Sequence, residues 1–250
     1  MSDVRYIKHY EIIDSTNNEA KRLVESECFD KPVLIFADEQ TAGRGRQGKS
    51  FYSPANTGLY MTVILPVNDD ISSQVTMTTR TAVAVAKALE KEYNIHPEIK
   101  WVNDIYLAGN KCCGILCEAV NDYSKMLLKY AIIGVGINIS TSDWPKELRD
   151  KAGSIAKASE KRISHLSLAV TTAKSVIELI SDKSNQEFLN YYRSHSNVIG
   201  REIVFVENNV ENSAYAVDID NEGSLIVEMK DADGKSCRKI INSGEVSLKI

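Results

Sequence analysis

The chain has few cysteines and no long apolar run, and both shortages exclude classes of protein. Its five cysteines are odd in number, and Cys112, Cys113 and Cys117 crowd into one segment, which is a poor layout for a disulfide framework. The longest apolar stretches fall well short of the roughly 18 residues that a membrane-spanning helix needs. The first residues include no apolar segment of the kind found in a secretory signal. We therefore expect a cytoplasmic protein with reduced thiols and no membrane span.

Neither sign of charge dominates the chain. The formal net charge is −4, so no chain-wide attraction to nucleic acid or acidic lipid is expected, and any anion site must be local. Neither Cys28 nor Cys237 supplies a second metal-ligating pair, and the histidines are scattered, so we expect no tight metal site. With 250 residues the chain can form one sizeable core and a small second module.

The pattern of predicted elements changes near residue 199, from helices mixed with strands to short strands alone. Before it, apolar periodicity predicts helices at 17–27, 72–93, 166–180 and 186–195, and strands at 6–13, 33–37, 59–65, 98–101, 105–107, 113–120 and 126–135. Thr16 and Glu19 have the spacing of a capping box at the first helix. After it, five short apolar runs alternate with turn residues such as Asn208-Asn209 and Asp231 to Gly234, which is typical of a small antiparallel barrel. We predict two domains, 1–198 and 199–250.

A loop rich in glycine and arginine at 43–50 is the first segment with chemical character. Its letters satisfy the P-loop formula G-x-x-x-x-G-K-[ST]. A P-loop runs directly into a helix, whereas the following Phe51-Tyr-Ser-Pro54 is turn-like, so we reject that interpretation. The alternative is a solvated loop. Because Arg44, Arg46 and Lys49 alternate with glycines that let a ligand approach the backbone, we favour a phosphate site.

The second such segment is Lys100-Trp101-Val102-Asn103-Asp104. If residues 98–101 form a strand, Lys100 projects from the end of a sheet beside a polar turn. A lysine there can neutralise a substrate carboxylate and an α-phosphate, and a nearby aspartate can take part in holding Mg²⁺. On this segment alone, a solvent-exposed lysine before a turn is the better interpretation.

Six motifs occur in the order in which biotin protein ligases carry them. They are Ser15-Thr16-Asn17, Gln40 with Gly43 to Lys49, Lys100 to Asp104, Lys111 to Glu118, Gly134 to Asn138, and Gly244 to Leu248. The chain therefore resembles this family across nearly its whole length. It departs from the family pattern at Gln47 and Lys49, where arginine is usual, and at Val102, where proline is usual. Lysine lacks the bidentate phosphate contacts of arginine, so these departures bear on the contacts to pyrophosphate.

The resemblance implies a two-step reaction. Biotin is activated with ATP to biotinyl-5′-AMP, and a lysine of a biotin carboxyl carrier protein or domain then accepts the biotin. The implied ligands are biotin as substrate, ATP and Mg²⁺. The implied fold is α+β, with helices on a mixed, largely antiparallel sheet and a C-terminal SH3-like β-barrel. Because the first strand is predicted within about six residues of Met1, which leaves no room for a winged helix, we expect no binding to DNA. We expect a monomer or a weak homodimer.

The resemblance also assigns roles to individual residues. Lys100 and Arg46 would be catalytic. The biotin site would comprise Ser15, Thr16, Asn17, Gln40, Gly43, Arg44, Lys100 and Gly114. The ATP and adenylate site would comprise Arg44, Arg46, Gln47, Gly48, Lys49, Phe51, Asn103, Asp104, Lys111, Asn138 and Lys249, with Phe51 and Asn138 beside the adenine. Mg²⁺ would arrive with ATP, near Asp104, without a tight site of its own.

Two alternatives stay open. A lipoate ligase shares the fold and the adenylation chemistry, but its ligand lacks the ureido ring that could satisfy a pocket lined by Ser15, Thr16 and Gln40. A nucleic-acid-binding module that uses the loop cations is disfavoured by the acidic pI and by the absence of interleaved aromatic residues.

Overall fold

The structure of the protein is a computed structural model that describes residues 6–69, 74–122, 124–159, 161–182, 187–207, 210–230 and 233–249. Its elements in chain order are β1 (Tyr6–Ile13), α1 (Thr16–Ser26), β2 (Val33–Gln40), β3 (Gly58–Asp69), α2 (Gln74–Tyr93), β4 (Glu98–Lys100), β5 (Asp104–Leu107), β6 (Asn110–Asp122), β7 (Leu127–Asn138), α3 (His165–Ser181), α4 (Glu187–His195), β8 (Glu202–Glu207), β9 (Val210–Ile219), β10 (Leu225–Lys230), β11 (Ser236–Ile241) and β12 (Val246–Leu248). Of the predicted elements and turns, residues 72, 73, 186, 208, 209, 231 and 232 lie outside the described residues.

The large sheet has seven strands in the order β1-β2-β3-β7-β6-β5-β4. The β1–β2 pair is parallel and the other neighbours are antiparallel, so the predicted mixed, largely antiparallel sheet is confirmed. Both faces of the sheet are covered. On β7, Ile132 packs with Ala20 of α1 on one face, while Ile133 belongs to the core formed with α2, α3 and α4 on the other. A strand that is buried on both faces reads as a continuous apolar run, as β7 does.

The second sheet is antiparallel, with the order β11-β10-β9-β8-β12. This small all-β unit confirms the α+β class. It contacts the large sheet directly, because the indole Nε1 of buried Trp101 donates to the Gly223 carbonyl oxygen at 2.9 Å. Between the two units lie residues 196–201, and the predicted division at residue 199 stays a prediction.

The capping box predicted at the start of α1 is wrong. The N-cap is Ser15, with no side-chain hydrogen bond to the helix, and Thr16 is already the first helical residue. Its hydroxyl donates to Gln40 Oε1 at 3.2 Å, and Glu19 instead accepts from Tyr10 and Arg22. A tertiary contact has therefore replaced the local one that the spacing suggested. Among the residues that the structure describes, no helix is long and apolar enough to cross a membrane.

Candidate functional site

A cavity lies where the N-terminus of α1, the loop after β2, the large sheet and the turn before β12 meet. Most of the predicted site residues line it: Ser15, Thr16, Asn17, Gln40, Arg44, Arg46, Gln47, Lys49, Phe51, Lys100, Asn103, Asp104, Lys111 and Gly114. Further lining residues that were not predicted include Tyr60, Trp101, Gly134, Gly136 and Glu245. The fold thus gathers segments that are more than 200 residues apart in the chain into one site.

Four predicted site residues are not part of this wall. Gly43 packs beneath the Phe51 carbonyl oxygen. Gly48 lies in the same loop, at the end of the short turn formed by Arg46–Gly48. Asn138 is buried at the end of β7, with no hydrogen-bond partner for its Oδ1 among the described residues. Lys249 lies beyond β12, where its ammonium pairs with Glu202 at 3.4 Å. These four residues are not among those that line the cavity.

The floor of the cavity is made of glycines. Gly114 on β6 pairs with Gly136 on β7, and the next pair along the same face is Leu116 with Gly134. The aromatic ring of Phe51 lies on this floor, so that a methyl group at Gly136 would come within 2.6 Å of it. Farther along the same face, Ile132 packs against α1. Gly134 lies under Asn17 of α1, and Gly114 and Gly136 lie under the Phe51 ring, so the glycines let these two side chains approach the sheet closely.

Neutral polar groups occupy one end of the cavity. Gln40 Oε1 accepts from both the backbone N–H of Thr16, at 2.9 Å, and its hydroxyl, while Gln40 Nε2 donates to Ser53 Oγ at 2.9 Å. The buried Thr62 hydroxyl lies 2.8 Å from Thr16 Oγ1 and 2.7 Å from Asn17 Oδ1. This connected network fixes the donor and acceptor directions of the wall, which is the property that a site for a polar, uncharged ring requires.

The loop between β2 and β3 folds back on itself. Gly45 N–H donates to the Lys49 carbonyl at 2.7 Å, and Phe51 N–H donates to the Gly43 carbonyl at 2.9 Å. A short 3₁₀ turn at Arg46–Gly48 forms its tip, and the next regular element is β3, so the rejected P-loop geometry is indeed not adopted. Three of the loop's backbone amides, those of Gly45, Lys49 and Phe51, are therefore satisfied within the loop, and its charged side chains line the cavity.

The loop cations contact protein groups in the structure. Arg44 Nη1 lies 2.8 Å from Glu118 Oε2, and Arg46 Nη1 donates to Asn103 Oδ1 at 3.1 Å. The Lys49 ammonium pairs with Glu245 of the second unit. Hydrogen bonding from Lys49 lowers the pKa of Glu245. These contacts give the arginines and the lysine anionic or amide partners that a ligand anion can replace.

Lys100 lies at the cationic end of the cavity. As predicted, it lies at the end of a strand in the sheet; the strand ends one residue earlier than expected, and Asp104 belongs to the paired strand β5 rather than to a turn. Burial lowers the pKa of Lys100, while the nearby carboxylates of Asp104 and Glu245 oppose that change. Asp104 Oδ1 is 2.6 Å from Lys111 Nζ. The peptide bond between Trp101 and Val102, where the family pattern has proline, is cis.

Sequence reasoning missed Glu118, Tyr106 and Glu245 as site residues. Glu118 and Glu245 lie within the quoted motifs 111–118 and 244–248, and an acidic residue beside so many cations was the signal that could have identified them. Tyr106 lies two residues after the Lys100 to Asp104 motif, and its hydroxyl lies 3.5 Å from Lys100 Nζ.

Comparison with known proteins places this site in a family. The chain matches the biotin/lipoate A/B protein ligase family over residues 10–138. It is 29% identical to the bifunctional ligase/repressor BirA of Bacillus spizizenii over 91% of this chain and 70% of that protein. It is 26% identical to a biotin–[acetyl-CoA-carboxylase] ligase of Mycobacterium tuberculosis, over 93% and 85%. Among solved structures, the biotin protein ligase from Aquifex aeolicus in complex with biotin and ATP has the same fold, with a TM-score of 0.80 at 24% identity over 98% and 99% of the two chains. The chain belongs to the biotin/lipoate A/B protein ligase family.

Proposed function

We propose that the protein is an ATP-dependent biotin protein ligase, which makes biotinyl-5′-AMP and transfers biotin to a lysine of a biotin carboxyl carrier protein. One observation carries the proposal: a single cavity has a neutral hydrogen-bonding end, at Ser15, Thr16 and Gln40, and a cationic end. Biotin has a polar ring at one end and a carboxylate at the other. The relatives named as biotin ligases and the Aquifex complex with biotin and ATP support the same ligand pair.

In the first step, a carboxylate oxygen of biotin attacks the α-phosphorus of ATP, and pyrophosphate leaves with the bonding electron pair. Both reactants are anions, so they repel each other unless cations lie between them. Lys100 and Lys111 would neutralise the reacting groups, and Arg46 and Lys49 would cover the phosphates. In the second step, the carrier lysine attacks the carbonyl carbon, and AMP leaves. Catalysis consists of positioning and charge neutralisation, without a covalent enzyme intermediate.

Mg²⁺ would enter with ATP. The described residues include no group of three His, Cys, Asp or Glu side chains placed to hold a metal ion. Two carboxylates, those of Asp104 and Glu245, lie at the cationic end, and this suits an ion that binds through one or two carboxylates together with substrate phosphates. Mg²⁺ would supply shielding of the phosphate charge there.

The proposal is tested by calorimetric titration with biotin, lipoate and single-stranded DNA in parallel, together with pyrophosphate release in the presence of ATP. We expect biotin to bind and to support pyrophosphate release, and a carrier domain to become biotinylated. Tighter binding of lipoate would favour the sister activity of the family, and salt-resistant binding of DNA would favour a different class of function. A short palindromic DNA duplex is titrated as well, and we expect no binding to it. Sedimentation measures the oligomeric state, and we expect a monomer or weak homodimer.

A further inference from the structure

Glu118 of β6 is the meeting point of three segments. Its Oε1 accepts from Lys21 Nζ at 2.7 Å, and its Oε2 accepts from Arg44 Nη1 at 2.8 Å and from Asn17 Nδ2 at 3.0 Å. Asn17 and Lys21 are one turn apart on α1, whereas Arg44 belongs to the loop after β2. The Glu118 side chain is only 18% exposed, so these contacts are partly shielded from water.

The contact with Asn17 decides which way its amide points. A carboxylate can only accept, so the amide must present its NH₂ group to Glu118 and to the Leu116 carbonyl, which lies at 3.4 Å. Asn17 Oδ1 then faces the Thr62 hydroxyl, which also touches Thr16. The polarity of the neutral end of the cavity is therefore set by two acceptors, the Leu116 carbonyl and the closer, charged Glu118 carboxylate.

The contact with Arg44 ties the loop to the same oxygen atom. Two cations share this carboxylate, so Lys21 still compensates Glu118 if Arg44 moves to a ligand anion. Releasing Arg44 thus leaves no buried charge unpaired, and unpaired buried charges are the main cost of breaking such pairs. The arrangement holds the loop in place in the ligand-free protein and also allows Arg44 to leave Glu118 when a ligand anion binds.

We propose that Glu118 is a positioning residue, which orients the ring-binding wall through Asn17 and holds the loop through Arg44. The assignment of the wall to biotin rests on the proposed function. The contact that holds the loop through Arg44 does not depend on the proposed function, because it is present in the ligand-free protein.

The test compares Glu118→Gln with Lys21→Met and with Glu228→Gln, which is a matched change in the surface pair with Arg238 at 3.0 Å. Limited trypsin digestion of the ligand-free protein reports the loop, since trypsin cuts after Arg44 and Arg46. We expect Glu118→Gln to be cut there several-fold faster, and the other two variants to be cut at the wild-type rate. Calorimetry with biotin reports the wall, and we expect Glu118→Gln to bind about tenfold more weakly, the scale of one charge-assisted hydrogen bond.

Steady-state kinetics separates positioning from a merely structural role. A positioning role raises KM for biotin with a smaller change in kcat and leaves the melting temperature of Glu118→Gln within a few degrees of wild type. Wild-type loop cleavage together with wild-type biotin affinity in Glu118→Gln would overturn the proposal. If wild-type protein fails to bind biotin, the proposed function fails, while the loop cleavage result still decides the role of Glu118 toward Arg44.

Discussion

The ammonium nitrogen of Lys100 lies 3.5 Å from the hydroxyl oxygen of Tyr106 and 5.4 Å from the centre of its ring. The two residues belong to the paired strands β4 and β5. An ammonium group over an aromatic face is held electrostatically without being neutralised. Tyr106 can therefore keep Lys100 in place and leave its charge free for a ligand carboxylate.

The first prediction concerns Lys100 itself. Lys100→Ala should lower the rate of adenylate formation by about 100-fold or more, the scale of losing one preorganised electrostatic group. The fold should persist, because the ammonium contributes to no apolar core cluster. Pyrophosphate release with biotin and ATP measures the rate, and thermal unfolding serves as the control. A rate close to wild type would remove Lys100 from the chemistry.

The second prediction separates the ring of Tyr106 from its hydroxyl. Burial raises the pKa of Tyr106 to about 12, so its hydroxyl is neutral at working pH. Tyr106→Phe should change adenylation by less than about threefold, whereas Tyr106→Leu should slow it about five- to tenfold, which corresponds to roughly 1 kcal/mol of cation–π attraction. Equal losses in the two variants would instead assign the effect to the hydroxyl.

The third prediction concerns retention of the adenylate. Arg46 contacts Asn103 from the loop that borders the cavity, and Arg46→Gly should still form adenylate but hold it poorly, because one charge-assisted contact is worth about 1.5 to 3 kcal/mol. Released adenylate reacts with lysines of any protein. Biotin on a bystander protein without a carrier domain, detected by streptavidin blot, should rise above wild type. The double variant with Lys100→Ala is the control and should label nothing.

A fourth prediction follows from the glycine floor. In Gly136→Ala the new methyl group would lie 2.6 Å from the Phe51 ring and force that ring into the cavity. Overpacking of this kind typically costs about 1 to 3 kcal/mol of folding stability, and the displaced ring would narrow the cavity, so the melting temperature and the affinity for biotin should both fall. Adding Phe51→Leu should restore part of the affinity by making room for the methyl group. No recovery in the double variant would show that the clash is not with Phe51.

The fifth prediction is a pH dependence of stability at Glu118. Burial alone would raise the pKa of Glu118, but hydrogen bonds from Lys21, Asn17 and Arg44 outweigh it and hold the pKa below its usual 4.5. A lowered pKa means that the contribution to stability is complete above pH 4.5 and is lost as the pH falls through the lowered value. Urea unfolding should therefore show wild type more stable than Glu118→Gln by a constant margin from pH 6 to 8, and by a smaller margin near pH 3.5. An unchanged margin at acid pH would contradict the pairing.

The sequence predicted the elements of the fold better than it predicted contacts between them. Strongly periodic segments such as α3 and β7 were found within a few residues, because periodicity is a local property. The capping box failed because Thr16 takes a partner, Gln40, that lies 24 residues away. Local spacing cannot report such a competition.

The candidate site shows the same division. The motifs containing Lys100 and Arg44 were recognisable from their letters, but Glu118 reaches Asn17 across 101 residues and Arg44 across 74. Which residues meet there depends on how α1 and the loop after β2 pack against β6. Asn138 was expected at the cavity as the last residue of a motif, and Lys249, just beyond the final motif, as a further phosphate candidate. Asn138 is instead buried at the end of β7, and Lys249 pairs with Glu202.

The hydrogen bond from Trp101 to Gly223 makes the small C-terminal sheet part of the catalytic unit's own structure. The indole N–H is buried, so it would lose its acceptor if that sheet were absent, and the cavity would lose the wall formed by Gly244, Glu245 and Val246. The two units are therefore structurally dependent on each other. Recombination that exchanged the C-terminal sheet for another of the same fold would have to preserve both the Gly223 turn and Glu245, and this requirement ties the evolution of the small sheet to that of the large one.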